Sequence, residues 1–294
     1  MAVCTDYKSD FLAHLIDEKN VSKNTLQAYS NDISCFELFL LQANTAIEDA
    51  THESIEAFKN YLKDDGRAIS SVSRSLSSVR SFYTYLHHIG VVSSNPAKSV
   101  KNDKSGLKQF DVLSSEEINR LISQPSGNDE KAIRDRAILE LLYATGINVS
   151  ELIAMNLKDF NETLSYIKCG SDERFIPLYP KAKKLLSSYL LNSRRFLVSS
   201  PDEDALFVNI NGERMSRQGL WKLIKHYAGE AGIKKEISPR MLRHSFATHL
   251  LENGADVTQL KELLGHADIS TTNNYVTFLK QKLSGTLMSF HPHA

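Results

Sequence analysis

The sequence predicts a mainly α-helical protein of two domains, with a small β-hairpin or sheet in the second domain. Apolar residues recur at helical spacing through the first hundred positions, and a polar segment rich in Ser, Asn and Lys follows. Further helical segments come next, interrupted by one strand-like stretch. Because 294 residues can form two separate cores, we expect a helical domain over 1–92, a linker over 93–109 and a second domain over 110–294.

The first domain contains four segments with the helical pattern. Short polar or Gly-containing breaks separate them, which is typical of a small helical bundle. The segments are Tyr7–Leu15, Thr25–Leu41, Ile55–Leu62 and Val72–Leu86.

The second domain opens with a capping box, in which Ser114 is the N-cap and Glu117 completes the box. The pattern changes between Phe160 and Leu178, where the runs 166–169 and 174–178 flank a break at 170–172 and predict a hairpin. The other helices predicted in this region are Ile133–Tyr143, Ala182–Leu191 and Arg217–Ala231.

Three helices are predicted near the C-terminus. Ser238 and Pro239 suit the start of the first, and Gly254 its end. The second is bounded by an Asp256 cap and a Gly265 stop, so His266 follows a helix end. The third begins at a Ser270 cap and carries Tyr275 in an otherwise polar first turn, so we expect a phenol that substrate can reach.

Composition narrows the class of protein. The formal net charge is zero, which argues against a general polycation, so any nucleic-acid surface must come from local clusters of charge. The three cysteines are widely spaced and form no CxxC motif, so neither disulfides nor zinc is indicated. No apolar run approaches a membrane span, and we expect a cytoplasmic protein.

Three residues near the C-terminus form a set that can break a phosphodiester without metal. Tyr275 would be the nucleophile, Arg243 would bind the phosphate oxygens through its planar fork, and His266 would donate to the same group. Each residue taken singly is more often structural, but the three in this order favour chemistry.

The motifs around these residues resemble the tyrosine site-specific recombinases, the phage integrase family, and within it the Xer-like branch. The matching stretches are 242–251, 263–266, 270–275, Ala144–Gly146 with Ser150–Leu152, Asn95–Ala97, and in the first domain 22–33 and 76–86. Several separated motifs therefore recur in order over nearly the whole chain.

The resemblance implies a helical, SAM-like core-binding domain and a tyrosine recombinase catalytic domain that close around double-stranded DNA. It implies strand cleavage through a 3′-phosphotyrosyl intermediate with no cofactor and no metal. It also implies a C-terminal exchange helix, donated between protomers of a homotetramer or of a heterotetramer with a second recombinase on two DNA sites.

Three positions depart from the family pattern. An arginine is expected at Asn148, which can donate a hydrogen bond but carries no charge, and losing one such donor costs about 3 to 4 kcal/mol of barrier. The hairpin lysine, the expected general acid, maps to Cys169. Lys168 can replace it only in a bulged or slipped hairpin, because neighbouring strand residues face opposite sides.

The third departure is Arg240, where a histidine is expected. Two interpretations remain open. Arg240 is either a phosphate contact or a partner of Glu151, or its charge replaces the one missing at Asn148.

Local basic clusters indicate where DNA would bind. On and beside the fourth helix of the first domain, arginines are interspersed with serines, a composition suited to phosphate contacts. Lysines also cluster before the helix that carries Arg243. The alternative is that these residues only form solvated helix faces. The predicted DNA-binding residues are Arg67, Arg74, Arg80, Lys222 and Lys225.

Two further functions stay open beside recombination. The three departures favour a DNA-binding paralogue whose cleavage is weakened, lost or dependent on an active partner recombinase. A purely regulatory DNA binder would not need Tyr275 or Arg243. Whether the role is chromosome dimer resolution or mobile-element integration, and at which DNA site, does not follow from the sequence.

Overall fold

The computed structural model describes residues 6–18, 21, 23–103, 111–170, 173–265 and 272–279. The chain divides into two compact units, 1–108 and 109–294. The expected helices and hairpin are present in them, and the predicted fold class is confirmed. None of the described helices is both long and apolar enough to cross a membrane.

The first unit is a four-helix bundle with one aromatic-rich core. Phe11, Phe36, Phe58 and Phe82 are fully buried at its centre, and their rings contact one another or Tyr83. The helices are α1 (Tyr7–Asp17), α2 (Lys23–Gln42), α3 (His52–Asp64) and α4 (Ile69–His88). Each contains the segment predicted from apolar spacing.

A buried carboxylate joins α2 to α4. Asp32 is 2% exposed and accepts hydrogen bonds from both Nε and Nη2 of Arg74, at 3.0 and 2.9 Å. It also accepts from the hydroxyls of Ser75 and Ser78, at 2.8 and 2.9 Å. Arg74 therefore holds the bundle together, and contact with DNA through its exposed half stays a prediction.

The first part of the expected linker packs on the bundle, so the prediction of an exposed segment was wrong for these residues. Ala97 and Val100 are buried in the core of the first unit. Their carbonyls accept hydrogen bonds from Arg80 at 3.1 and 2.9 Å. Lys59 donates to the carbonyl of Lys101 at 2.9 Å. Arg80, predicted to contact DNA, thus anchors the chain that leaves the bundle.

The second unit is a helical domain with a small antiparallel sheet. Ser114 and Glu117 form the predicted capping box at the start of α5. The helices are α5 (Ser115–Ser123), α6 (Glu130–Thr145), α7 (Val149–Ala154), α8 (Pro180–Tyr189), α9 (Arg195–Leu197), α10 (Arg217–Glu230), α11 (Pro239–Glu252), α12 (Val257–Leu264) and α13 (272–279). A 3₁₀ turn, Leu157–Asp159, and a π-helical turn, Leu190–Arg194, complete them.

The sheet has strand order β1–β2–β3, with β1 (Phe160–Asn161), β2 (Tyr166–Cys169) and β3 (Arg174–Pro177). The hairpin of β2 and β3 was predicted, and β1 was not. Four consecutive pairs run from Tyr166↔Pro177 to Cys169↔Arg174. Ile167 and Cys169 are buried, whereas Tyr166 and Lys168 are only partly covered, so the two sides of β2 differ.

Candidate active site

Helix α11 brings Arg243 to the ends of two other helices. Ser238 caps α11 by accepting from the Met241 N–H, and Pro239 occupies the first turn, as predicted. Arg243 Nη1 donates to the carbonyl of Gly146 at 2.7 Å, and Nη2 donates to the carbonyl of Leu264 at 2.6 Å. The guanidinium is therefore held in one orientation by backbone acceptors after α6 and at the end of α12.

Glycine makes both of these helix ends possible. Gly146 and Gly265 have φ of 61° and 66°, the left-handed region in which helices commonly end. A Cβ on Gly146 would also lie 2.3 Å from the ring of Phe246. Burial lowers the pKa of Arg243, and the Glu151 carboxylate at 3.9 Å opposes that shift, so the arginine stays charged.

Tyr275, on α13, is buried in an apolar pocket formed by α11 and α12. The expectation of an accessible phenol was therefore wrong. Tyr275 is 2% exposed and packs with Phe246, Ala247, Leu260 and Leu264. Polar neighbours in the sequence did not indicate this burial, because the covering side chains come from α11 and α12.

The phenol is hydrogen bonded to the residue next to Arg243. Tyr275 Oη lies 2.8 Å from His244 Nδ1, and His244 directly follows Arg243 on α11. Burial raises the pKa of Tyr275, and the positive charges of Arg243 and Arg240 oppose the rise. In this arrangement Tyr275 is therefore a neutral phenol.

Arg240 is exposed on the first turn of α11. Within the described part of the chain, Glu151 forms ion pairs with Arg174 and Arg243, and none with Arg240. A role as partner of Glu151 was therefore wrong. The positive charge of Arg240 acts to lower the pKa of Tyr275, against the larger effect of burial. A role of Arg240 at the phosphate stays a prediction.

Asn148 is the N-cap of α7. Its side-chain oxygen accepts from the Glu151 N–H at 2.9 Å, and Glu151 Oε2 accepts from the Asn148 N–H at 2.8 Å. The side chain is thus committed to a capping box through its oxygen. A catalytic hydrogen bond from its amide nitrogen stays a prediction.

Lys168 faces away from the site, so its predicted role as replacement acid is wrong for this hairpin. The uninterrupted register puts Cys169, not Lys168, on the buried side. Lys168 is 34% exposed and forms an ion pair with Glu173 at 2.7 Å. The sequence could not decide this point, since only the pairing register excludes a bulge.

Cys169, at the position where the resemblance leads us to expect a lysine, is a buried neutral thiol. Desolvation raises the pKa of Cys169 to about 11, although the nearby Arg174 opposes the shift. With this pKa, about one Cys169 thiol in a thousand is ionised at pH 8, and only the thiolate is nucleophilic.

We expect native Cys169 to react with iodoacetamide at least about tenfold more slowly than the partly exposed Cys35, and its rate to rise about tenfold per pH unit up to pH 11. Peptide mass spectrometry of quenched time points measures both rates. Denatured protein, in which both thiols should react alike, is the control. Equal native rates would contradict the burial.

Arg174 is a site residue that the sequence did not indicate. It pairs with Cys169 across the hairpin, and its Nη1 lies 3.0 Å from Glu151 Oε1. The available signal was strand alternation, which places a residue opposite Cys169 on the same buried side.

The remaining predicted DNA-binding residues have separate surroundings in the two units. Lys222 and Lys225 are exposed on α10, and Lys225 lies over the Trp221 ring. In the first unit, Arg67 is bonded to Asp65 at 3.0 Å. DNA contact by these residues stays a prediction.

Some predicted features fall outside the described residues. They are His266, the Ser270 cap, Cys4 and the exchange helix beyond residue 279. Among the residues that are described, no cluster of His, Cys, Asp and Glu could hold a metal ion.

Two family models match the chain. The Phage integrase family matches residues 111–282, which is more than half of the chain. The family's N-terminal SAM-like domain matches residues 9–90. The chain belongs to the phage integrase family.

Relatives of this chain include tyrosine recombinases named XerD. The XerD of Oceanobacillus iheyensis is 42% identical over 97% of this chain and 98% of that protein. The XerD of Listeria innocua is 39% identical over 98% of this chain and 99% of that protein. The predicted class, a tyrosine-type DNA recombinase of the Xer-like branch, is confirmed.

Solved structures of recombinases share the fold. XerH site-specific recombinase, bound to palindromic difH substrate after cleavage, has a TM-score of 0.77 and 21% identity over 95% of this chain and 83% of its own. The Tn1549 transposon integrase, in complex with circular intermediate DNA, has a TM-score of 0.76 and 17% identity over 92% of this chain and 94% of its own.

Proposed function

We propose that this integrase-family protein recombines double-stranded DNA at specific sites by cleaving and rejoining strands through Tyr275. The observation that carries the proposal is the pair of neighbours on α11, in which Arg243 is fixed by two carbonyls and His244 contacts the Tyr275 phenol. The DNA complexes of XerH and of the Tn1549 integrase support DNA as the substrate.

In the proposed reaction, Tyr275 Oη bonds to the scissile phosphorus as the bond from phosphorus to the 5′ oxygen breaks. The phenol loses one proton and the leaving 5′ oxygen gains one. Among the described residues, His244 Nδ1 lies 2.8 Å from the phenol oxygen and accepts the proton when the ring proton is on Nε2. Arg243 stabilises the charge that develops on the phosphate oxygens. A 5′ hydroxyl from the partner strand then reverses the step.

The phenol of Tyr275 must become exposed before it can attack the phosphate. Tyr275 is covered in the described arrangement, and a phosphodiester needs direct contact with its oxygen. Movement of α13 out of the apolar pocket would expose the phenol. This movement would also lower the pKa of Tyr275, because burial is the largest cause of its rise.

A second candidate function is a DNA-binding paralogue whose cleavage is weak or depends on an active partner subunit. The buried thiol at Cys169 favours it, since a neutral group with a pKa near 11 replaces the expected lysine acid. Under either function, the working complex would be a homotetramer or a heterotetramer on two DNA sites, in the cytoplasm.

Covalent trapping on nicked suicide DNA tests the proposal. We expect the wild-type protein to form an adduct on DNA carrying a candidate recombination site, and Tyr275→Phe to form none. Tyr143→Phe is the matched control, because it removes a phenol that is also bonded to a histidine, His249, on α11. DNA binding without an adduct, even with an active partner recombinase, would instead support the paralogue.

A further inference from the structure

Arg174 and Arg243 meet at one carboxylate and one helix end. Arg174 Nη1 lies 3.0 Å from Glu151 Oε1, and Arg243 Nη1 lies 3.9 Å from Glu151 Oε2. A Cβ on Gly265 would be 2.0 Å from Arg174 Nη1, while Arg243 donates to the carbonyl of the preceding Leu264. Two guanidinium groups from β3 and α11 therefore border the same small region.

Arg174 has donors that the fold does not use. Its Nε and Nη2 atoms are buried and have no hydrogen-bond partner within the described part of the chain. Buried charged donors without acceptors cost free energy and are few in folded proteins. Nε and Nη2 form one edge of the planar guanidinium, and this edge binds two oxygens of a phosphate side by side.

The surrounding charges also favour an anion. One carboxylate, Glu151, faces the two positive charges of Arg174 and Arg243, so these three groups carry a net positive charge. Cys169, which pairs with Arg174 across the hairpin, is a neutral thiol. A phosphodiester supplies both the missing acceptors and the balancing charge.

We propose that Arg174 is a second phosphate-binding arginine of this active site, donating from Nε and Nη2 to the non-bridging oxygens of the phosphate that Arg243 binds. The inference rests on the proposed function. Under it, Arg174 on β3 supplies the positive charge that Asn148 does not provide. It competes with the interpretation that Arg240 provides that charge.

Binding to DNA with single neutral linkages tests this assignment without requiring cleavage. The protein carries Tyr275→Phe, and the DNA carries a candidate recombination site with one methylphosphonate placed at each central phosphate in turn. We expect Arg174→Ala to weaken binding to unmodified DNA about tenfold, the effect of losing a charge-assisted pair of hydrogen bonds. With the methylphosphonate at one position, this difference should disappear.

Matched variants separate the alternatives. Arg217→Ala removes an exposed arginine that donates to Ser150 on α7, and its loss should not couple to that phosphate. Arg240→Ala in the same scan tests the competing interpretation. Thermal unfolding shows whether Arg174→Ala is folded. If it is not, Arg174→Lys replaces it in the scan, because lysine retains the positive charge but lacks the planar guanidinium that binds two phosphate oxygens.

The outcomes are distinct. Coupling of Arg174 to one phosphate, whether or not the wild-type protein cleaves there, supports the assignment. An equal loss on every DNA would mean that Arg174 acts only through Glu151 and would overturn it. If only Arg240→Ala shows a binding loss that depends on one phosphate, Arg240 rather than Arg174 supplies the charge that Asn148 lacks, and the assignment is overturned. Absence of any DNA binding would refute the proposed function and this assignment with it.

Discussion

Arg243→Lys is expected to lower the rate of covalent adduct formation about 10²- to 10³-fold, the effect of losing one preorganised donor at a developing charge. Lysine retains the positive charge but cannot span the carbonyls of Gly146 and Leu264, which fix the guanidinium at 2.7 and 2.6 Å. The variant should therefore lose orientation more than charge, and cleavage should fall much more than DNA affinity.

Single-turnover trapping on nicked DNA, with DNA affinity measured in parallel, checks this expectation. Arg120→Lys makes the same change at an exposed position on α5 and should leave the rate unaltered. A rate for Arg243→Lys within threefold of the wild type would show that charge alone suffices. Circular dichroism establishes that the variant is folded.

Asp32→Ala is expected to destabilise the helical bundle by about 2 to 3 kcal/mol, because buried hydroxyl donors lose their acceptor, whereas the side chain of Arg74 is 49% exposed and can be hydrated. The substitution deprives Arg74 of its bidentate acceptor and leaves the hydroxyl of Ser78 without its carboxylate partner. The effect should be confined to the first unit, because all these partners lie on α2 and α4.

Hydrogen exchange of the full-length protein, read by mass spectrometry, can localise the loss. Amides of α2 and α4 should exchange much faster in Asp32→Ala, while those of α6 and α11 keep their wild-type rates. Asp49→Ala, which removes an exposed carboxylate from the same unit, is the control. Unchanged protection of α2 and α4 would mean that the network contributes little.

The helices could be predicted because their signals are local. Ser114, Ser238 and Asp256 cap the helices that they were expected to cap, since a cap depends on residues within one turn. Apolar spacing likewise located the four helices of the bundle, because a 3.6-residue period describes one face whatever covers it. Strand β1 is two residues long and carries no such period.

The roles of the basic residues could not be predicted in the same way. Arg74 and Arg80 were expected to contact DNA, yet they bind Asp32 and the carbonyls of Ala97 and Val100. An arginine on a helix has the same local sequence whether it faces solvent, DNA or a carboxylate of another helix. Only tertiary contacts distinguish these cases.

The sequence by itself determined the helical architecture, the hairpin, the recombinase family and the order of Arg243 and Tyr275 along the chain, since caps, periodicity and motif spacing are properties of neighbouring residues. The tertiary structure decided that Tyr275 is buried against His244, that Lys168 faces Glu173, and that Arg174 joins Arg243 at Glu151. These outcomes depend on strand register and on helices that meet across long stretches of chain, where the sequence carries no local signal.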